Sequence, residues 1–275
     1  APHGSRGHDQ NASGILNGSG RHGHKRGRWH IMAKLLGIIP AYNEEAAILT
    51  TLADLQTNCP EADWVVVNDC SRDGTRELLR SSRASYLDLP VNLGIGGGVQ
   101  TGYKYAVEHG YDLTVQFDGD GQHRADCIRE LITPIVRGEA DMTVGSRFLP
   151  EAGEQDRGFQ SSAARRMGIR WISGLIRLTT GRTIHDVTSG FRACGKELTA
   201  YFAQNYAQDY PEPEAILAAT LAGFRVGEAP VVMKERQGGV SSIRSFKSVY
   251  YMIKVSLSLI IDRLSIKKIH QPRSK

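Results

Sequence analysis

The residues best suited to chemistry are two aspartates, Asp118 and Asp120, in the segment Asp118-Gly119-Asp120-Gly121-Gln122. They follow the apolar run 113–117, which is typical of a buried strand. Carboxylates at a strand end offer the hard oxygen ligands that Mg²⁺ and Mn²⁺ bind, usually together with a substrate's phosphates. Asp and Gly also form ordinary surface turns. The segment alone therefore leaves a metal site and a turn as equal alternatives.

Short β-like runs alternate with helix-like stretches, which predicts an α/β fold with a Rossmann-like, mostly parallel central sheet flanked by helices. In such sheets ligands bind beyond the carboxyl ends of the strands. The polar segments 40–44, 68–73 and 118–122 all fall there. The predicted strands are 35–39, 64–67, 84–89, 113–117, 141–144 and 226–233, and the predicted helices are 44–57, 75–82, 97–108, 125–137, 161–180 and 246–264.

Residues 1–31 differ from the rest of the chain, being rich in Gly, His, Ser and Arg with almost no apolar periodicity. We interpret them as a disordered leader or expression tag; a basic arm that binds nucleic acid is the alternative. This segment holds five basic residues and one acidic residue, so it supplies +4 of the formal net charge of +5. The remaining residues are close to neutral, and we therefore expect no nucleic-acid partner.

The four cysteines, Cys59, Cys70, Cys127 and Cys194, are far apart and form no Cys-x-x-Cys pair. No secretory signal is visible, so the sequence predicts structural thiols in a reducing, cytoplasmic compartment. No apolar run reaches the roughly 18 residues expected of a membrane span.

Three further segments follow predicted strands or precede predicted helices: 40–45, 67–75 and 92–98. Each has an ordinary explanation as a turn before a helix. In the segment 40–45, Asn43 would cap the helix and the glutamates would lie in its first turn. Glycines before a helix also allow a phosphate to approach the helix N-terminus.

Taken in order, these segments resemble the family 2 glycosyltransferases, which have the glycosyltransferase A fold. The resemblance covers about residues 34–250, and later segments narrow it to the dolichyl- and polyprenyl-phosphate sugar synthases. One departure is Asn68, where the family usually has the first of two aspartates; Asp69 keeps the second position. The matching segments are Pro-Ala-Tyr-Asn-Glu-Glu (40–45), Val-Asn-Asp-Cys-Ser-Arg-Asp-Gly-Thr (67–75), Asn-Leu-Gly (92–94), Asp-Gly-Asp-Gly-Gln (118–122), Gly-Ser-Arg (145–147), Asp-Val-Thr-Ser-Gly-Phe-Arg (186–192) and Arg-Gln-Gly-Gly-Val-Ser-Ser (236–242).

The resemblance implies that residues 32–262 form a catalytic domain, followed by a basic tail at 263–275. It implies an inverting enzyme that moves a sugar from a UDP-, GDP- or dTDP-sugar by direct displacement. A Mg²⁺ or Mn²⁺ at Asp118, Asp120 and Gln122 would neutralise the leaving pyrophosphate. The implied nucleotide-binding residues are Pro40, Ala41, Tyr42, Glu44, Asp69, Gly94, Asp118 and Gly119.

The acceptor decides which further residues are needed. A saccharide or other hydroxyl needs a general base, for which the candidates are Asp186, Glu212 and Glu214, whereas a lipid phosphate is already anionic. For a phosphate the expected partners are Arg147 and Arg236, because guanidinium binds phosphate bidentately. An internal salt bridge is the alternative for Arg147. A nucleotide-sugar-binding protein without turnover, or a nucleotidyltransferase, is a third interpretation, which the complete carboxylate set disfavours.

A lipid acceptor requires contact with a membrane. Many relatives in this branch carry transmembrane helices after the catalytic domain, so here we expect peripheral contact with the cytoplasmic membrane face, through the apolar terminal helix and the tail 263–275. An ordinary packing helix is the alternative. We predict a mobile acceptor-side lid, formed by the polar segment 150–160 and the helix 161–180. One face of that helix carries Met167, Trp171, Leu175 and Leu178.

Overall fold

The structure, a computed structural model, describes residues 33–149, 163–233 and 245–265. The strands found there are β1 (Leu35–Ala41), β2 (Asp63–Asn68), β3 (Ser85–Asp88), β4 (Leu113–Gln116), β5 (Met142–Ser146), β6 (Arg192–Gly195) and β7 (Val226–Pro230). The α-helices are α1 (Ile48–Asn58), α2 (Thr75–Ser81), α3 (Gly94–Glu108), α4 (Ile128–Val136), α5 (Ala163–Thr180), α6 (Lys196–Gln204), α7 (Pro211–Leu221) and α8 (Ser245–Ser265).

The strands form one sheet in the order β3-β2-β1-β4-β6-β5-β7. β6 runs antiparallel to both of its neighbours, and the other pairs are parallel. Every residue of β1 is buried, on both faces of the pleat. A strand covered on both faces in this way is typical of a parallel sheet between helical layers. The predicted mixed α/β architecture is thus confirmed.

The predicted elements are present, with shifted ends. β1 continues to Ala41, and α1 begins at Ile48 instead of residue 44. Residues 45–47 form a turn before the helix, in which Ala47 N and Ile48 N both donate to Glu44 O, at 3.0 and 2.9 Å. The predicted helix 125–137 begins as a 3₁₀ turn, Ala125–Cys127, and continues as α4.

Three elements of the described residues were not predicted: β6, α6 and α7. β6 has four residues and begins at the fully buried Arg192, so its sequence lacks the apolar pattern of a core strand. α7 starts with Pro211 at a position that suits proline. It is buried on most sides, which removes the amphipathic period that marks a surface helix.

α5 and α8 agree closely with the predicted helices 161–180 and 246–264. They contact each other, and Trp171 Nε1 on α5 donates to Ser256 Oγ on α8 at 3.0 Å. α5 packs on the core through Ile169, Ile172 and Ile176.

The face of α5 expected from the sequence to be apolar is largely exposed. Met167, Trp171 and Leu178 are 71%, 63% and 82% exposed. None of the helices in the described ranges is long and apolar enough to cross a membrane. The segment 150–160 and most of the predicted tail, 266–275, lie outside the described residues, as does the leader 1–31.

Candidate active site

The loops that follow β1 and β2 are joined by hydrogen bonds. Asn43 N donates to Ser71 Oγ at 3.0 Å, and Asn43 Oδ1 accepts from Arg72 N at 2.8 Å. Glu44 N donates to Thr75 Oγ1 at 2.9 Å. Two segments that are 28 or more residues apart in sequence therefore form one wall at the carboxyl edge of the sheet.

Asp69 connects this wall to the start of α3. Its backbone N donates to Ala41 O at 2.9 Å, and its Oδ1 accepts from Leu93 N at 2.6 Å. Gly94, the first residue of α3, has a φ of 75°, a conformation that favours glycine. The structure thus brings together the predicted nucleotide-binding residues Ala41, Asp69 and Gly94.

Gly119 lies against the same wall. A methyl group on Gly119 would be 3.4 Å from Pro40 O and 3.6 Å from Glu44 Cγ. Tyr42 is 42% exposed, which leaves its ring available for a ligand. The aspartate segment and the loop after β1 are therefore neighbours, as the shared sheet edge predicted.

The departure at Asn68 has a structural reason. The side chain is fully buried, and its Nδ2 donates to Asp88 Oδ1 at 2.7 Å. An aspartate at position 68 would place a second carboxylate against Asp88, and like charges at this distance repel. The amide instead supplies the donor that Asp88 requires.

Asp118 and Asp120 differ in exposure. The Asp118 side chain is 34% exposed. Asp120 is buried, and its Oδ1 accepts from Gln122 N at 3.0 Å within the turn that contains Gly121. Asp118 Oδ2 lies 3.5 Å from His123 Nε2.

His123 holds the backbone of Asp118 by a hydrogen bond. Its Nδ1 accepts the backbone N–H of Asp118 at 3.0 Å, and its ring stacks on Phe191 with 4.7 Å between centroids. Burial lowers the pKa of His123, while the charges of Asp118 and Asp120 oppose that effect. A neutral ring with an unprotonated Nδ1 is what the hydrogen bond from Asp118 requires.

The donor set fits Mg²⁺ or Mn²⁺ shared with a substrate. No group of three or more His, Cys, Asp or Glu side chains in the described ranges is arranged to hold a metal ion. Mg²⁺ is usually bound through one or two carboxylates, with substrate phosphates and water completing its shell. Asp118 and Asp120 meet that requirement, and Gln122 lies beside them with a half-buried side chain.

Arg147 and Asp186 form a buried, bidentate ion pair. Arg147 Nε and Nη2 donate to the two Asp186 carboxylate oxygens at 2.6 and 2.8 Å, and Arg147 N donates to Oδ2 at 3.1 Å. Arg147 Nη2 also donates to Thr188 Oγ1 at 3.2 Å. This is the internal salt bridge that the sequence left open for Arg147. The Asp186 side chain is 0% exposed, so it presents no surface from which to take a substrate proton.

The two glutamates of α7 point to different surroundings. Glu214 is buried and accepts a hydrogen bond from Ser258 Oγ on α8. Glu212 is half-buried, and burial raises the pKa of its carboxyl. The charge of Arg192 opposes this rise in pKa and that of Asp118 adds to it. Glu212 is thus the member of the pair that shares the electrostatic environment of Asp118.

Two further results concern residues named or overlooked in the sequence. Arg236 lies outside the described residues, so its role stays a prediction. Gly190 was not assigned a function, yet a methyl group at this position would lie 2.8 Å from Asp118 Oδ2. The signal was the glycine of the Ser-Gly-Phe-Arg part of the later motif, because a glycine leading into a strand often marks a close approach of another group.

Several known proteins are similar to this chain in sequence. An undecaprenyl-phosphate mannosyltransferase of Micrococcus luteus is 30% identical over 76% of this chain and 87% of its own length. A UDP-N-acetylglucosamine–dolichyl-phosphate N-acetylglucosaminyltransferase of Methanococcus voltae is 28% identical over 82% of this chain and 97% of its own. A polyprenol monophosphomannose synthase of Mycolicibacterium smegmatis is 27% identical over 81% and 86%.

A solved structure has the same fold. Glucosyl-3-phosphoglycerate synthase from Mycobacterium tuberculosis, in complex with Mn²⁺, uridine diphosphate and phosphoglyceric acid, superposes with a TM-score of 0.64. The two chains are 16% identical, and the match covers 86% of this chain and 80% of the other. This likeness confirms the glycosyltransferase A fold. The profile described as Glycosyl transferase family 2 matches residues 38–202, more than half of the chain, and the chain therefore belongs to glycosyl transferase family 2.

Proposed function

We propose that the protein transfers a sugar from a nucleotide-diphosphate sugar to a polyprenyl phosphate, with inversion at the anomeric carbon. The observation that carries the proposal is the placement of Asp118, half-exposed beside Asp120, against the wall that the loops after β1 and β2 form. The acceptor is supported by three relatives, matched over 76–82% of this chain and all named for a polyprenyl-type acceptor.

The wall formed by Pro40, Tyr42, Glu44 and Asp69 holds the nucleoside in this proposal. Asp118 and Asp120 would hold Mg²⁺ or Mn²⁺ together with the substrate's phosphates, and the structural neighbour, which was solved with Mn²⁺ and uridine diphosphate, supports this assignment. When bound, the ion would supply positive charge that stabilises the leaving nucleoside diphosphate.

The acceptor phosphate reacts without a general base. One of its oxygens forms the bond to the anomeric carbon while the bond from that carbon to the pyrophosphate breaks, and the electron pair leaves with the nucleoside diphosphate. Because the attacking oxygen is already anionic, no proton must be removed. Arg236 is proposed to bind this phosphate. Asp186 and Arg147 form an ion pair with each other, and we infer that this pair has a positioning role.

A hydroxyl acceptor is the second candidate, and Glu212 is the observation that favours it. A half-buried carboxylate with a raised pKa near Asp118 suits a general base. A hydroxyl acceptor needs Glu212 as a general base, whereas a phosphate acceptor does not. Replacing Glu212 therefore distinguishes the two candidates.

We expect Arg236→Ala to raise the acceptor KM by about ten- to a hundredfold, the value of one charge-assisted pair of roughly 1.5–3 kcal/mol. Glu212→Gln should lower kcat by less than about tenfold, because a phosphate needs no base. Steady-state titrations of polyprenyl phosphate and of the nucleotide sugar measure both effects. Arg80→Ala, an exposed arginine of α2, is the matched control. A normal acceptor KM for Arg236→Ala together with an inactive Glu212→Gln would establish the hydroxyl acceptor instead.

A polyprenyl acceptor also requires a membrane-facing surface, and we propose that the exposed apolar residues of α5 and α8 form it. Exposed arginines border them, including Arg166, Arg170 and Arg177 on α5 and Arg263 on α8. Apolar side chains flanked by basic ones are typical of helices that lie in the interface of an anionic membrane. The apolar residues are Met167, Trp171, Leu178, Ile253, Leu257, Ile260 and Ile261.

The double variant Leu178→Ser/Leu257→Ser should bind anionic lipid vesicles at least about tenfold more weakly, since each inserted side chain contributes roughly 1.5–3 kcal/mol. Co-sedimentation with phosphatidylglycerol-containing vesicles measures the change. Val136→Ser is the control, because Val136 is 59% exposed but lies on α4. Equal binding by the double variant and the wild type would exclude this surface.

A further inference from the structure

We propose that the segment Ser189–Arg192, which leads into β6, orients the Asp118 carboxylate, with Gly190 and Arg192 as positioning residues. The inference rests on the proposed function, because it concerns the carboxylate that would hold the metal ion.

Gly190 leaves no room for a side chain beside the carboxylate. A methyl group on Gly190 would lie 2.8 Å from Asp118 Oδ2 and 3.1 Å from Oδ1. A carbon at 2.8 Å from an oxygen is closer than real side-chain contacts allow, so the carboxylate or the backbone would have to move. The absence of a side chain at position 190 is therefore what permits the present orientation of Asp118.

Arg192 fixes the backbone of this segment. Its side chain is fully buried, Nη2 donates to Ser189 O, and Nη1 donates to Glu212 O at 3.2 Å. A buried guanidinium is costly unless its donors are used. Here Nη1 and Nη2 bind backbone carbonyls, while Nε has no hydrogen-bond partner among the described residues. The two bonds link the carbonyl of Ser189 to the start of α7.

Phe191 packs against the residues next to Asp118. Its ring stacks on His123, whose Nδ1 accepts the backbone N–H of Asp118. Phe191 also contacts Phe117 edge to face, with 5.5 Å between centroids. The segment thus contacts the carboxylate of Asp118 through Gly190 and supports its backbone through His123.

The first test measures Mn²⁺ affinity by electron paramagnetic resonance, with Mn²⁺ alone and with uridine diphosphate added. Gly190→Ala and Arg192→Lys should each weaken Mn²⁺ binding about 10- to 100-fold, the usual effect of changing a group that orients a metal ligand. Gly227→Ala is the control, because a methyl there would meet Ala140 Cβ at an ordinary 3.6 Å. Unchanged Mn²⁺ affinity in folded Gly190→Ala would overturn the inference.

The second test is a double-mutant cycle on the melting temperature. The added methyl of Gly190→Ala should lower Tm by roughly 2–12 °C through overpacking. In the Asp118→Ala background the opposing carboxylate is gone, so most of that loss should disappear. An equal loss in both backgrounds would show that Gly190 does not act on Asp118. If the wild type binds no Mn²⁺ with the nucleotide, the proposed function fails, while this cycle still decides the contact.

Discussion

Asp120→Asn is expected to lower sugar transfer by about a thousandfold or more while the protein stays folded. A metal ion at developing charge stabilises the transition state by several kcal/mol, and each 1.36 kcal/mol changes the rate tenfold. The amide keeps an oxygen to accept the hydrogen bond from Gln122 N, so the turn should persist. Initial rates at saturating nucleotide sugar, with Tm recorded in parallel, measure this effect.

Asp126→Asn is the control for that experiment. Asp126 is an exposed carboxylate paired with Arg124, and such pairs contribute about 0–1 kcal/mol. Its replacement should leave the rate within about twofold. Full wild-type activity in excess EDTA would show that transfer does not depend on a divalent ion.

Arg147→Met is expected to lower the free energy of unfolding by about 3–5 kcal/mol, since it leaves the charge of Asp186 buried without its partner. Urea unfolding followed by circular dichroism measures the loss. Arg147→Met/Asp186→Leu should recover a large part of it, because removing both charges removes the uncompensated one. Arg124→Met, in an exposed pair, should cost less than about 1 kcal/mol.

The same variant tests the role first predicted for Arg147. If its guanidinium bound the acceptor phosphate instead of holding Asp186, Arg147→Met would raise the acceptor KM and leave stability unchanged.

The sheet edge that carries the site could be predicted from the sequence. The strand before Asp118 and the strands before Pro40 and Asn68 are apolar runs that end in polar segments, and parallel strands bring such segments to one edge. The structure confirms this convergence through the contacts of Asp69 with Ala41 and of Gly119 with Pro40.

Partners that depend on long-range packing could not be predicted in the same way. Asp186 was a candidate base from its motif, but its bidentate contact with Arg147 depends on the loops after β5 and before β6 meeting. The antiparallel strand β6 could not be predicted, because it begins with Arg192 and a charged residue is normally expected at the protein surface. The structure shows that this arginine is fully buried. Glu212 and Glu214 are two residues apart, and only the packing of α7 shows that Glu214 contacts α8.

The sequence also could not show which face of α5 is exposed. Apolar spacing identified the helix correctly, but spacing does not say whether a face meets the core or the outside. Ile169, Ile172 and Ile176 meet the core, while Trp171 and Leu178 do not. A second apolar face on one helix is what a lipid-facing surface requires.

The most direct test of the account is transfer itself. The protein is incubated with Mn²⁺, polyprenyl phosphate and radiolabelled nucleotide sugars supplied one at a time, and the mixture is extracted with organic solvent. Label from at least one nucleotide sugar should enter the organic phase, EDTA should abolish this transfer, and Asp120→Asn should reduce it about a thousandfold. Label that stays in the aqueous phase with every uridine, guanosine and thymidine diphosphate sugar, while the wild type is folded and binds vesicles, would contradict it.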